Sequence, residues 1–129
     1  MDFIRRAYHF FLAFTGDFVY RHPSRSLFVI GITGTKGKST SAEILSALLE
    51  AGGRTTALLS SVRVKIGNEK DLNTSGNTMP GRFFIQRFLR RAVNAGCTHA
   101  IIEVTSQGIE QFRHRFIDFD AAVFLNLLP

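Results

Sequence analysis

The stretch from Ser26 to Ala51 constrains this chain more than any other. A short apolar run, SLFVIGIT (Ser26–Thr33), passes into Gly34-Thr35-Lys36-Gly37-Lys38-Ser39-Thr40, and a helical pattern follows over Lys38–Ala51. The apolar run is rich in β-branched residues and nearly continuous, which fits a strand buried on both faces of a parallel sheet. The glycines let the backbone curl so that successive amides point inward at phosphate oxygens. The helix amino end adds partial positive charge. Lys38 can reach β and γ phosphates, and the Ser39 hydroxyl is placed to ligate Mg²⁺. The strict pattern G-x-x-x-x-G-K-[ST] asks for glycine at 32, where this chain has Ile32 and glycines at 31 and 34. A glycine-rich turn with an incidental lysine is the competing reading, and the flanking strand and helix count against it.

The rest of the chain alternates in the same style. Ile44, Leu45, Leu48 and Leu49 form an apolar stripe on the first helix, closed by Gly52-Gly53. Thr55–Ser60 reads as a second buried strand. Val62–Ile66 alternates apolar and basic residues, the sign of a half-exposed strand, and Gly67-Asn68 reads as a turn. Leu72–Pro80 is polar and reads as a loop. Ile85, Phe88, Leu89, Ala92 and Val93 form the stripe of a helix that opens near Pro80 and ends at Gly96, with Arg82, Arg87, Arg90 and Arg91 mostly off it. Thr98–Val104 and Ala121–Leu127 complete four buried strands. The expected class is α/β: a P-loop-type, mostly parallel sheet flanked by helices, with right-handed crossovers. Ligands then sit at the carboxyl ends of the strands, where Gly34–Thr40, Thr105–Gln107 and Asn126 fall. Glu103 ends the apolar strand IIEV at that same edge. A carboxylate there is costly to bury alone, so it reads as a Mg²⁺ ligand across from Ser39, or as the partner of a lysine or arginine. His99 opens that strand at the opposite edge and reads as structural.

Length supports one domain: 129 residues bury one core and not two. Cys97 is the single cysteine, which excludes an internal disulfide and argues against a cysteine zinc site; a reducing cytoplasmic setting is the default. The net charge of +6 points to anionic partners. No nucleic acid is expected among them, because the arginines from Arg82 to Arg91 lack the aromatic interleaving of a stacking platform. Thirteen phenylalanines suggest more apolar surface than a small monomer hides. Residues 1–23 read as an amphipathic helix preceding the domain proper, 24–129, with Pro23 and Ser24 as the break. Its apolar run, Ala7–Tyr20, is shorter than the roughly 20 residues that span a bilayer. Three readings stay open: docking on the domain or a neighbour, peripheral membrane contact through residues 1–22, and a signal segment, which lacks its small-residue cleavage site. His9 and His22 read as surface or packing histidines.

Four ordered blocks resemble a known family. Gly34–Thr40 (GTKGKST) resembles the ATP-binding signature of the Mur ligases and their folylpolyglutamate synthetase relatives. Asn73–Pro80 (NTSGNTMP) resembles their substrate loop, Glu103–Arg113 (EVTSQGIEQFR) their Glu-Val-Ser-Ser-His-Gly block, and Asp118–Leu127 (DFDAAVFLNL) their strand ending in Thr-Asn-Leu. Together they favour the muramoyl-tripeptide synthetase, or MurE-type, branch; Ser39 after Lys38 argues against the folate branch. The resemblance implies ATP-dependent amide formation through an acyl phosphate, with a UDP-muramoyl-peptide and an amino acid as substrates. It implies that Gly34, Thr35, Lys36, Gly37, Lys38, Ser39 and Thr40 bind ATP, that Ser39 and Glu103 hold Mg²⁺, and that Lys38 and Glu103 carry the catalysis. Thr78, Thr105, Gln111 and Arg113 would contact the muramoyl-peptide; a solvated arginine cluster over Arg113–Arg115 is the plainer reading of Arg113.

Met79, Gln107 and Lys36 depart from the commonest family residues. The family's later acidic-histidine segment, its magnesium-holding lysine and its flanking domains find no match in this sequence. The expectation is therefore an incomplete central domain on which missing domains pack, with little or no ligase activity alone. A non-catalytic nucleotide-binding module is the competing reading.

Overall fold

The computed structural model describes residues 3–19, 22–72, 82–105 and 117–128. Helix α1 (Phe3–Val19) and a 3-10 turn (Pro23–Ser26) precede strand β1 (Phe28–Thr33). Then come α2 (Lys38–Ala51), β2 (Thr56–Leu59), β3 (Arg63–Ile66), β4 (Glu69–Leu72), α3 (Arg82–Asn94), β5 (His99–Glu103) and β6 (Ala121–Phe124). One sheet holds all six strands in the order β4-β3-β2-β5-β1-β6. The four strands β2, β5, β1 and β6 are parallel, and β3 and β4 add an antiparallel hairpin at one edge.

Side chains alternate across each strand, so β1, β2 and β5 each feed two cores, whereas β6, at the sheet edge, leaves Ala122, Val123 and Phe124 exposed and is not the buried strand expected there. Val29, Ala57, Leu59, Ala100 and Ile102 pack on the α3 side with Ile85, Phe88, Leu89 and Ala92. Ile30, Ile32, Leu58 and Ile101 pack on the α2 side with Ala42, Leu45 and Leu49. This is why the inner strands read as unbroken apolar runs: both of their faces are covered. Glu103 follows Ile102 and so falls on the α2 side, beside the helix that the glycine loop opens.

Two other expectations change, for α2 and β3, and a strand forms over residues left unassigned. β4 is a strand, although EKDL carries no apolar alternation; the turn at Gly67, whose φ is +60°, returns the chain so that Ile66 pairs Glu69 and Arg63 pairs Leu72. Backbone pairing, not side-chain pattern, makes that strand. On α2, Ile44 and Leu48 are 55% and 65% exposed, while Ala42 and Ser46 are buried. The helix is rotated so that its small residues meet the sheet and its acidic flank meets β3. There Glu43 takes two hydrogen bonds from the Arg63 guanidinium, and Glu50 pairs with Lys65. The Glu43 carboxylate, chiefly by hydrogen bonding, raises the Arg63 pKa above its ordinary value.

That pairing also overturns the half-exposed reading of β3. Lys65 is only 5% exposed, covered by α2 and tied to Glu50 and, at 3.4 Å, to the Ser46 hydroxyl. Thr56 completes the network, 2.7 Å from Ser46 and donating to Glu50 at 2.9 Å. Elsewhere α1 packs along α3. No helix among the described residues is long and apolar enough to cross a membrane.

Candidate phosphate and magnesium site

The loop between β1 and α2 is shaped by two glycines and by the end of β6. Gly34 adopts φ +150°, and a Cβ there would lie 3.0 Å from Leu125 Cβ and 3.2 Å from the Asn126 amide nitrogen. Only glycine lets the two segments approach so closely. Gly37 adopts φ +89° and caps the amino end of α2.

Asn126 clamps the first half of the loop. Its Oδ1 accepts the Thr35 amide at 2.9 Å and the Lys36 amide at 3.1 Å, and its Nδ2 donates to the Lys36 carbonyl at 2.9 Å. The Thr35 amide also lies 3.2 Å from the Asn126 carbonyl. The Thr35 hydroxyl accepts the Leu128 amide at 3.0 Å. The inward-pointing amides expected along all of Gly34–Thr40 are thus narrowed to its second half. Helix geometry leaves the first amides of α2 without intrahelical acceptors. The earliest such bond runs from the Ser41 amide to the Gly37 carbonyl, at 2.9 Å.

Those amides border a pocket of about 180 Å³ lined by Gly37, Lys38, Ser39, Thr40, Ser61 and Glu103. Lys38 arches back over the loop and donates to the Gly34 carbonyl at 2.8 Å. An ammonium has three protons, so donors remain for an anion. Glu103 is 1% exposed, and the Ser39 hydroxyl donates to its Oε1. Ser61 lies 2.9 Å from Ser39, and with Ser39 donating to Glu103 the Ser61 hydroxyl supplies that bond's proton. Among the described residues no lysine or arginine forms an ion pair with Glu103, so the salt-bridge reading of this carboxylate finds no partner.

A buried carboxylate with two hydroxyls, beside amides that want an anion, is a hard-oxygen donor set. It fits Mg²⁺, which takes one or two protein oxygens and completes its shell with water and phosphate. No group of three or more histidine, cysteine or acidic residues gathers among the described residues, so a self-sufficient protein cage is not what is built here.

The structure thus brings Lys38, Ser39, Thr40 and Glu103 together. Thr105 follows β5 at the same edge of the sheet. Thr78, Gln111 and Arg113 lie outside the described residues. Sequence reasoning placed Asn126 at this edge without seeing its clamp, and it missed Ser61. Its only signal was a serine just past a buried strand.

Fold and loop together define an α/β domain of the phosphate-loop type. Residues 32–129 match the Mur ligase middle domain, and this chain belongs to that family. It is 40% identical over 110 residues to the UDP-N-acetylmuramyl-tripeptide synthetase of Roseiflexus sp. (strain RS-1), covering 84% of this chain and 22% of that protein. The synthetase of that name from Lactobacillus delbrueckii subsp. bulgaricus (strain ATCC BAA-365 / Lb-18) is 43% identical over 113 residues, covering 85% of this chain and 22% of the relative. A solved UDP-N-acetylmuramoyl-L-alanyl-D-glutamate–2,6-diaminopimelate ligase superposes with a TM-score of 0.75 at 26% identity, covering 88% of this chain and 23% of that one. The chain spans about a fifth of the length of these relatives.

Proposed function

We propose that this chain is the nucleotide-binding front part of the central domain of a ligase that joins an amino acid to a UDP-muramoyl-peptide at the expense of ATP, in cell-wall synthesis. One observation carries the reading: Glu103, buried at the tip of β5, is held by Ser39 of the glycine loop, one residue from Lys38. In this reading a substrate carboxylate attacks the γ-phosphorus, ADP leaves, and an incoming amine displaces phosphate from the acyl phosphate to form the amide. Such chemistry is positioning and charge neutralisation.

This chain's residues serve both ends. The amides of Gly37–Thr40 and the Lys38 ammonium hold the phosphates. Ser39 and Glu103 would hold Mg²⁺, which would supply charge neutralisation at the phosphates. Asn126 keeps the loop in the shape that exposes those amides. Thr78, Thr105, Gln111 and Arg113 are assigned to the muramoyl-peptide. Dependence on ATP and a single buried thiol, Cys97, favour a cytoplasmic setting.

Equilibrium dialysis of the chain against ATP with Mg²⁺ and against a UDP-muramoyl-peptide tests the proposal. It predicts saturable binding of both. Binding of ATP alone would overturn the ligase assignment in favour of a nucleotide-binding module, and binding of neither would overturn the site.

A further inference from the structure

Helix α1 is turned inside out for a helix docked on a domain. Phe3, Ile4, Tyr8, Phe11, Phe14 and Phe18 are all exposed. At 100° per residue they fall within an arc of about 140°. Phe14 and Phe18 stack along it at 6.5 Å. The opposite side is the one withdrawn from water: Ala13 is buried, His9 and Leu12 half-buried, where the helix meets α3. The helix spends its least apolar side on the domain and offers its aromatic side outward.

Charge says what that face suits. Arg5 and Arg6 are exposed and lie on either flank, each about 130° from the centre of the aromatic arc. Arg87 and Arg91 are exposed on α3, the helix beneath. Asp2 and Asp17 offset part of the segment's own charge, so the bias comes from the whole chain, at +6. A second copy would bring the same arginines and the same +6 against itself. An anionic bilayer brings the complementary charge together with an apolar layer for the rings. Aromatic residues on one face and arginines toward the other is the pattern of a helix lying in the headgroup plane. The match to the middle-domain model begins at residue 32, so α1 precedes that model.

We propose that α1 docks this chain on the surface of a membrane containing anionic lipid, its Phe3–Phe18 face immersed and its arginines at the headgroups. The chain has no tryptophan, so Phe11→Trp gives a clean reporter. With phosphatidylcholine–phosphatidylglycerol vesicles its emission should shift to the blue and the chain should sediment with them. Pure phosphatidylcholine or added salt should weaken this, as should Arg5→Gln with Arg6→Gln. Phe11→Ser with Phe18→Ser, at exposed positions that leave the melting temperature unchanged, should lower partitioning by about tenfold or more. Absence of vesicle binding would overturn the proposal. So would binding that the serine variant leaves intact, which would be charge alone. A vesicle-free dimer abolished by that variant would assign the face to a second copy instead.

Discussion

Lys38 and Glu103 line the same pocket, and the proposed function gives them different roles that single substitutions separate. Lys38→Ala removes the cation over the loop; calorimetry should show ATP–Mg²⁺ affinity falling by about tenfold or more, the scale of one charge-assisted contact. Glu103→Gln keeps shape and burial but removes the charge. It should weaken the magnesium dependence of binding more than the affinity for ATP without metal, and equal losses in both would make Glu103 structural. Asn126→Ala should destabilise the fold by about 1–2 kcal/mol in urea titrations, the net worth of its hydrogen bonds to Thr35 and Lys36. It should also lower ATP affinity, although Asn126 does not line the pocket. That Lys38, Ser39 and Glu103 meet at one edge of the sheet was legible in the sequence because strand, glycine loop and helix are contiguous, and an acid at the end of an apolar strand stands out. The clamp was not, because it joins residues about 90 apart in the chain and depends on how β6 ends beside β1.

At the scale of elements, α2 shows what periodicity cannot decide. Its span was legible to the residue, from Lys38 to Ala51. Its rotation was not: two large apolar residues, Ile44 and Leu48, lost the sheet face to Ala42 and Ser46 because Glu43 and Glu50 had to face Arg63 and Lys65 on β3. That acid–base pairing lies across two elements, and no window on either one contains it. Lys65→Ala leaves Glu50 without its cation and opens space against α2. Because Glu50 is partly exposed, the expected loss is about 1–3 kcal/mol in urea unfolding rather than that of a fully buried pair. α3 was read correctly because Ile85, Phe88, Leu89 and Ala92 face a core that spans the whole helix.

Cys97, just past α3, gives the element a pH signature. Burial pushes its thiol pKa up, partly offset by a hydrogen bond with the Gly67 backbone. The folded chain therefore keeps a proton that the unfolded chain releases above the ordinary thiol range near 8.5. Stability from this group is complete below that range and is lost as pH rises through it toward the folded value. Urea midpoints should fall with pH there, and Cys97→Ala should flatten the slope. Alkylation at neutral pH should be slow until denaturant is added.

Across the whole molecule, α2 and α3 cover opposite faces of the sheet, and the loop opens at the carboxyl ends of its central strands. That placement was legible from the alternation of elements alone, because βα crossovers leave few topologies open. The hairpin edge β3–β4 was legible only up to its turn. The claim that matters most is that this edge holds a triphosphate on the amides of Gly37–Thr40, with Glu103 on its metal. The most direct measurement is an amide NMR titration of the chain with ATP and Mg²⁺. The largest shifts should fall on Gly37, Lys38, Ser39 and Thr40, with smaller ones at Ser61 and Glu103. Shifts centred elsewhere, or no shifts at saturating ATP, would contradict it.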